Sequence, residues 1–420
     1  SIAFTQKHRH LPWRLEKPWY GPVVIPQEGS TPLRILIGAD PAFGEKTALL
    51  FVPVISIDGI LALNRNNPYR IAFTANPDAK EPDPDIKLIN LAGGDTDGII
   101  ICEIPDSLLP GSEDSAGVLV LVFYGEIPDF TKESVDDAIT QAIDQAIDHA
   151  LNSEQKPEDA LITWKPGTAN DDLCIAFGSC QYPAGIFDSE LAYRAWKALG
   201  ASLSAKDTSP KPDMLLLMGD QVYVDATAGL FDPESAKERY EWPYRKLYNN
   251  RHVRNVLRKL PLYSMLDDHE IDDNWQPIVR PGEDIDSETA ARENRNQHRN
   301  SRGVNAYLKY QRGIDPETWR QLRDEKKLWY PFEHNGFRFF MMDTRTDRTS
   351  RSATSIDEEG TSLISEHQLR DFRNWLDKHD SDKPGFIVSP SILFPRHMTT
   401  SAVYPASALH ADGWDGYPQS

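Results

Sequence analysis

The residues in this chain that could do chemistry fall in short clusters. Cys180 offers a thiol within Gly178-Ser179-Cys180-Gln181, and Asp220 offers a carboxylate closely followed by the phenol of Tyr223. Asp267-Asp268-His269-Glu270 sets four ionisable side chains in a row, and Asp272, Asp273 and Asn274 extend the polar run. Asp343-Thr344-Arg345 adds a guanidinium. Carboxylates suit hard cations, while thiolate and phenolate suit a transition metal. A carboxylate bridging two metals ~3.5–4 Å apart is the arrangement used to activate water and stabilise an in-line displacement at phosphorus. His269 need not be a ligand there: it can donate a proton to a leaving alkoxide or stabilise charge on phosphoryl oxygens. Arg345 fits a phosphate through its planar fork, and fits equally a salt bridge to Asp343 or another carboxylate.

All these clusters follow apolar runs. Met214–Met218 stops abruptly at Gly219-Asp220 and reads as a strand buried on both faces, the kind found in parallel sheets. Cys174–Phe177, Leu262–Leu266 and Phe337–Met342 end at the other clusters in the same way. Open α/β sheets bind ligands outside the carboxyl ends of their strands. Like charges held together, as in Asp267–Glu270, destabilise unless a cation or hydrogen bonds compensate. The intervening segments supply helices. Asp188 is expected to cap a helix with Leu191, Ala192, Ala195, Trp196 and Leu199 as its buried face and Gly200 as its end. Strand, helix and parallel strand then make a βαβ unit. Residues 232–259 read as mostly helical, and residues 280–303 as a loop or exposed helix. Ser365 and Gln368 form a capping box for a helix whose Leu369, Phe372, Trp375 and Leu376 face inward. PGFIVSPSILF gives one more short strand.

The amino-terminal part has a different pattern. Residues 1–33, rich in Pro, Trp and charge, read as an extended arm. From Leu33 onward, LRILIGADP, TALLFVPVISIDG, YRIAFTAN, DGIIICEIP and AGVLVLVFYGEIP alternate with turn residues, as in a β-sandwich or barrel-like domain. Cys102 and Cys174 read as buried strand residues. Helical periodicity takes over in Thr131–Asn152, which packs on this first domain, and SEQKPEDALITWKPGTANDD holds a short strand between linkers. A boundary near Gly167–Asp172 divides the chain into a β-rich domain at 1–170 and an α/β domain at 171–420.

Composition narrows the function. The 420 residues carry 64 acidic and 45 basic side chains, a formal net charge of −19, which opposes nucleic acid as the main partner and favours cations. The three cysteines make no disulfide framework, and no apolar run approaches the ~20 residues of a membrane span. The first residues lack the apolar core of a secretory signal, which favours a cytoplasmic protein. The start at Ser1 leaves a removed leader, and with it a secreted or periplasmic location, open.

FGSCQ, GDQVYVD, DDHEIDDNW and DTRTDR, followed by SEHQLRDFRNWL, resemble the PhoD-type alkaline phosphatases/phosphodiesterases of the metallophosphoesterase superfamily over Leu173–Tyr417. The resemblance implies layered β-sheets flanked by helices, preceded by a smaller β-rich domain. It implies metal-dependent hydrolysis of phosphate monoesters, diesters or both, with ferric iron and calcium as cofactors and other divalent cations as alternatives. On this resemblance Cys180, Asp220 and Tyr223 match the iron ligands, with Asp220 bridging, and Asp268 matches the calcium side. His269 matches the histidine beside the reacting phosphate, and Arg345 the arginine of the DTR motif. Two departures stand out. Asp273-Asn274 replaces paired asparagines, an extra carboxylate that bears on calcium affinity. The late Gly-Asp-x-His motif, expected after DGWDGYP, is absent from the chain, so these residues alone would lack part of the metal site. A non-catalytic cation-binding or interaction protein with an incomplete phosphoesterase site is the alternative.

Overall fold

A computed structural model describes residues 13–16, 20–26, 33–38, 47–57, 60–63, 69–74, 86–90, 99–104, 115–125, 161–163, 172–182, 189–207, 209–225, 236–277, 284–314, 319–320, 327–350, 361–378, 382–393, 413–414 and 417. The site-bearing part is built on two short sheets. β11 (Ile175–Gly178), β12 (Met214–Met218) and β13 (Leu262–Met265) run parallel in that spatial order. In the second sheet β14 (Tyr330–His334) pairs antiparallel with β15 (Phe337–Met341), which pairs parallel with β16 (Gly385–Val388).

Strand alternation explains why Met214–Met218 is apolar throughout. Leu215 and Leu217 enter a core with Tyr193, Trp196, Tyr244 and Val256 on the helical side. Met214 and Leu216 enter the opposite core, with Phe332, Phe339, Met341 and Val388 of the second sheet. Burying one such side chain contributes roughly 1.5–3 kcal/mol, so a strand covered on both faces has no polar positions to spare. β15 repeats the arrangement. Phe339 stacks on Phe332 between the sheets, while Phe340 and Met342 turn outward to Ile364 and Trp375. The layers therefore run helices, sheet, sheet, helix, the mixed α/β architecture expected from the sequence.

The helices of the first layer are α1 (Ser189–Ala192), α2 (Arg194–Ser204), α3 (Ala236–Tyr248) and α4 (Arg251–Leu257); α5 (Ser287–Tyr307) continues into a π-helical turn at Leu308–Arg312. α6 (Glu366–Asp377) forms the outer layer, with Trp375 buried, Leu369 and Phe372 partly buried, and Leu376 44% exposed. Two expectations change here. The helix after β11 breaks at Tyr193, whose ring is buried in the core, and this turns Leu191 out to 71% exposure; Ala195 is also exposed. The helix also runs through Gly200 to Ser204, because Gly200 is a contact and not a cap: a Cβ there would lie 2.6 Å from Asn255 Nδ2. Asp188 and residues 131–152 lie outside the described residues.

In the amino-terminal part, β1 (Trp13–Glu16), β4 (Thr47–Ile57), β6 (Tyr69–Thr74), β7 (Ile86–Asn90) and β9 (Ser115–Gly125) lie in the spatial order β1-β9-β4-β6-β7. β5 (Ile60–Leu63) pairs with β4, and β10 (Leu161–Ile162) with β9. β2 (Tyr20–Ile25), β3 (Leu33–Gly38) and β8 (Ile99–Ile104) form an antiparallel sheet, with Cys102 fully buried in β8. The stretch read as an extended arm contributes β1 and β2 to sheets. Val23 and Ile25 of β2 join the helical-side core, and Arg254 of α4 donates to Gly21 O at 2.7 Å. No helix among the described residues is long and apolar enough to cross a membrane.

Candidate metal centre

Cys180, Asp220 and Asp268 stand just past the carboxyl ends of β11, β12 and β13, so parallel pairing brings the clusters to one edge. The turns that carry them are interlocked. Cys180 N–H donates to Gly219 O at 3.3 Å, Gln181 N–H to Asp220 O at 2.7 Å and Val224 N–H to His269 O at 3.1 Å. Cys180 and Asp220 both have φ +55°, a left-handed conformation that costs a non-glycine residue of order 1–3 kcal/mol and persists only when its surroundings dictate it. Gly219, at φ +87°, lets the two strand ends close up: a Cβ there would lie 2.5 Å from Asp267 Cβ.

Ligand atoms of Asp220, Asp268 and His269 lie within 4.8 Å of one another. The Cys180 thiol donates to Asp220 Oδ2 at 3.5 Å, while Asp220 Oδ1 is buried with no hydrogen-bond partner. Asp268 Oδ2 accepts from Asn274 N–H at 2.6 Å. Burial, then the Asp268 charge, pushes the Asp220 carboxyl up, and burial and Asp220 push the Tyr223 phenol up. The Cys180 thiol is raised too, chiefly by burial. An edge of acidic donors, with Asp220 and Asp268 buried and one Asp220 oxygen left unpartnered, fits a cation, which would satisfy that oxygen and favour the ionised forms. The mixed set of thiol, phenol and carboxylates suits a transition metal on the Cys180–Tyr223 side and a harder ion near Asp268.

His269 is held from two directions. Its Nδ1 lies 2.7 Å from Asp225 Oδ2, and its ring packs on Tyr223 with centroids 4.1 Å apart. With a carboxylate as partner, Nδ1 carries the hydrogen, which leaves Nε2 for chemistry; Asp273 Oδ1 lies 3.9 Å from it. Burial alone would lower the imidazole pKa, but the Asp225 bond and the charges of Asp268, Asp225 and Asp220 outweigh it and raise the value. Asp273, the departure from paired asparagines, is exposed and accepts from Asn274 Nδ2 at 3.0 Å.

Arg345 is not aimed at open space. It is 2% exposed, with Nε 2.8 Å from Asp267 Oδ1, an Nη 3.3 Å from Asp268 Oδ1, and another donating to Trp275 O at 3.4 Å. The carboxylate pairing is present, with Asp267 and Asp268 as partners. Asp343 accepts from the backbone N–H groups of Arg345 and Thr346 at 3.0 and 2.8 Å. Gln368 completes only half the capping box. Its N–H donates to Ser365 Oγ at 3.1 Å, but its side chain returns to Asp343, accepting from the N–H at 2.9 Å and donating to the C=O at 2.8 Å.

Three members of this edge have no individual role in the sequence reading. Asp225 sits within the GDQVYVD stretch, and only the fold shows that it holds His269. Asp267 and Glu270 flank the Asp268-His269 pair, and their roles depend on what folds against them, the Arg345 guanidinium on Asp267 and backbone amides on Glu270.

A model of the family described as PhoD-like phosphatase matches residues 175–420. A solved structure of PhoD is similar over 96% of this chain and 67% of that one, with 15% identity and a TM-score of 0.53, a likeness of fold. No curated protein matches by sequence.

Proposed function

The chain belongs to the PhoD-like phosphatase family, and on that premise we propose that it hydrolyses phosphate esters, monoesters, diesters or both, at a dinuclear-type metal centre on the carboxyl edge of β11–β13. The observation that carries this reading is the convergence of Asp220, Asp268 and His269 around an unpartnered, buried Asp220 oxygen. Cys180, Asp220 and Tyr223 would hold one cation, proposed as ferric iron, and Asp268 with Asp220 the second, proposed as calcium. Bound metals supply Lewis-acid polarisation of phosphoryl oxygens and make water a nucleophile at neutral pH.

The protein's own contribution is protons and position. Asp225 fixes the ring and tautomer of His269, and that bond together with the nearby carboxylate charges raises its proton affinity. Nε2 is then placed to donate to a leaving alkoxide or to stabilise charge on the phosphoryl oxygens. Arg345 acts one step back, as a positioning residue that holds Asp267 and Asp268 in place. The test is the hydrolysis of chromogenic phosphate mono- and diesters by the wild type and His269→Ala. General acid–base catalysis contributes roughly 10²–10⁴-fold, and kcat should fall by that factor with metal content retained. Wild-type kcat in the variant would remove His269 from the mechanism, and an intact protein that bound metal but cleaved neither ester would make it a binding protein.

A further inference from the structure

Glu270 is fully buried beside the site and offers no atom to solvent. Its carboxylate receives backbone amides from two different turns. Oε2 accepts from Asp220 N–H at 3.1 Å and from Asp267 N–H at 3.0 Å, and Oε1 accepts from Gln221 N–H at 2.7 Å. Gln311 Nε2 approaches Oε1 at 3.5 Å from the π-helical turn that ends α5, a distortion that often marks functional positions. The Asp220 peptide is thereby gripped from both sides, since its carbonyl accepts from Gln181 N–H. Only a carboxylate serves here: three converging amides need two acceptor oxygens, and a glutamine would set its own NH₂ against one of them.

We infer that Glu270 is the positioning residue that ties the Asp220 turn to the Asp267–Asp268 turn and so fixes the separation of the proposed metal ligands. The consequence for metal binding rests on the metal-centre reading above; the tie itself does not. Ligand geometry set by such outer partners typically changes metal affinity 10–100-fold when they are lost.

The experiment compares the wild type with Glu270→Gln, which is isosteric, and Glu270→Met, which removes every acceptor. Amide hydrogen exchange is followed by mass spectrometry in metal-free protein, and calcium affinity by titration calorimetry. In both variants, amides in residues 219–221 and 266–268 should exchange at least about tenfold faster while the rest of the fold keeps its protection, and the calcium Kd should rise roughly 10–100-fold. Asp220→Asn, as control, should lose calcium yet keep those amides protected. If Glu270→Met does not fold, Glu270→Gln decides alone. Unchanged exchange at both turns overturns the inference, as does acceleration spread evenly over the whole protein, which would mark Glu270 as an ordinary core residue. A wild type that binds no calcium would count against the metal-centre reading, and the exchange result would still decide the tie.

Discussion

Two sheet edges in this molecule look alike in sequence and differ in what they leave unfinished. β12 and β13 run into Asp220 and Asp267-Asp268-His269; β15 runs into Asp343-Thr344-Arg345 and on to Asp347. At the β15 end both carboxylates find partners within the chain. Asp343 takes two backbone amides and Thr346, and Asp347 Oδ2 takes Ser365 N–H at 2.8 Å and Gln368 Nε2 at 2.7 Å. At the β12 end, Asp220 Oδ1 is buried and unpartnered. A charged strand end is therefore not yet a site. What distinguishes the two is whether the protein satisfies its own polar groups or leaves one for a ligand.

The largest effect should come from Asp220→Asn. Removing the proposed bridging ligand forfeits several kcal/mol of transition-state stabilisation, so hydrolysis should drop by at least about a thousandfold. The melting temperature of the metal-free protein should hold or rise, because an unpartnered buried carboxylate is gone; a large fall in melting temperature would make Asp220 structural and erase the contrast. Arg345→Met comes next. Breaking a buried pair by removing one partner costs roughly 3 kcal/mol, and the loss should appear in denaturant unfolding. A raised KM with unchanged stability would instead restore the substrate-contact role that the sequence left open.

The smallest effect belongs to the closed end. Burial, then the Asp343 charge, pushes Asp347 up to about 6, above its ordinary value. The folded state thus holds this proton more tightly than the unfolded chain does. Its contribution to stability is complete below about pH 4 and is lost as pH rises through about 6. Asp347→Asn should flatten that part of the stability–pH curve, and an unchanged curve would show that Asp347 does not titrate there.

How much of this was legible follows the same division. β12 was readable because burial on both faces leaves an unbroken apolar run, and parallel pairing then placed Cys180, Asp220 and Asp268 on one edge. The end of α2 was not, because Gly200 looks the same in sequence whether it caps a helix or makes room for Asn255. Arg345 was ambiguous for a related reason: its partner Asp267 is 78 residues away, and a planar fork fits carboxylate and phosphate alike. Gln368 carried the spacing of a capping box, yet its side chain serves Asp343, a partner no local pattern names.

Metal removal tests the central claim most directly. Elemental analysis of the purified protein, with ester hydrolysis followed through chelation and metal restoration, reports on occupancy and activity together. On this account the wild type carries iron and calcium, chelation abolishes hydrolysis, and restoring the metals returns it. Full hydrolysis by a chelated protein free of metal would contradict the account.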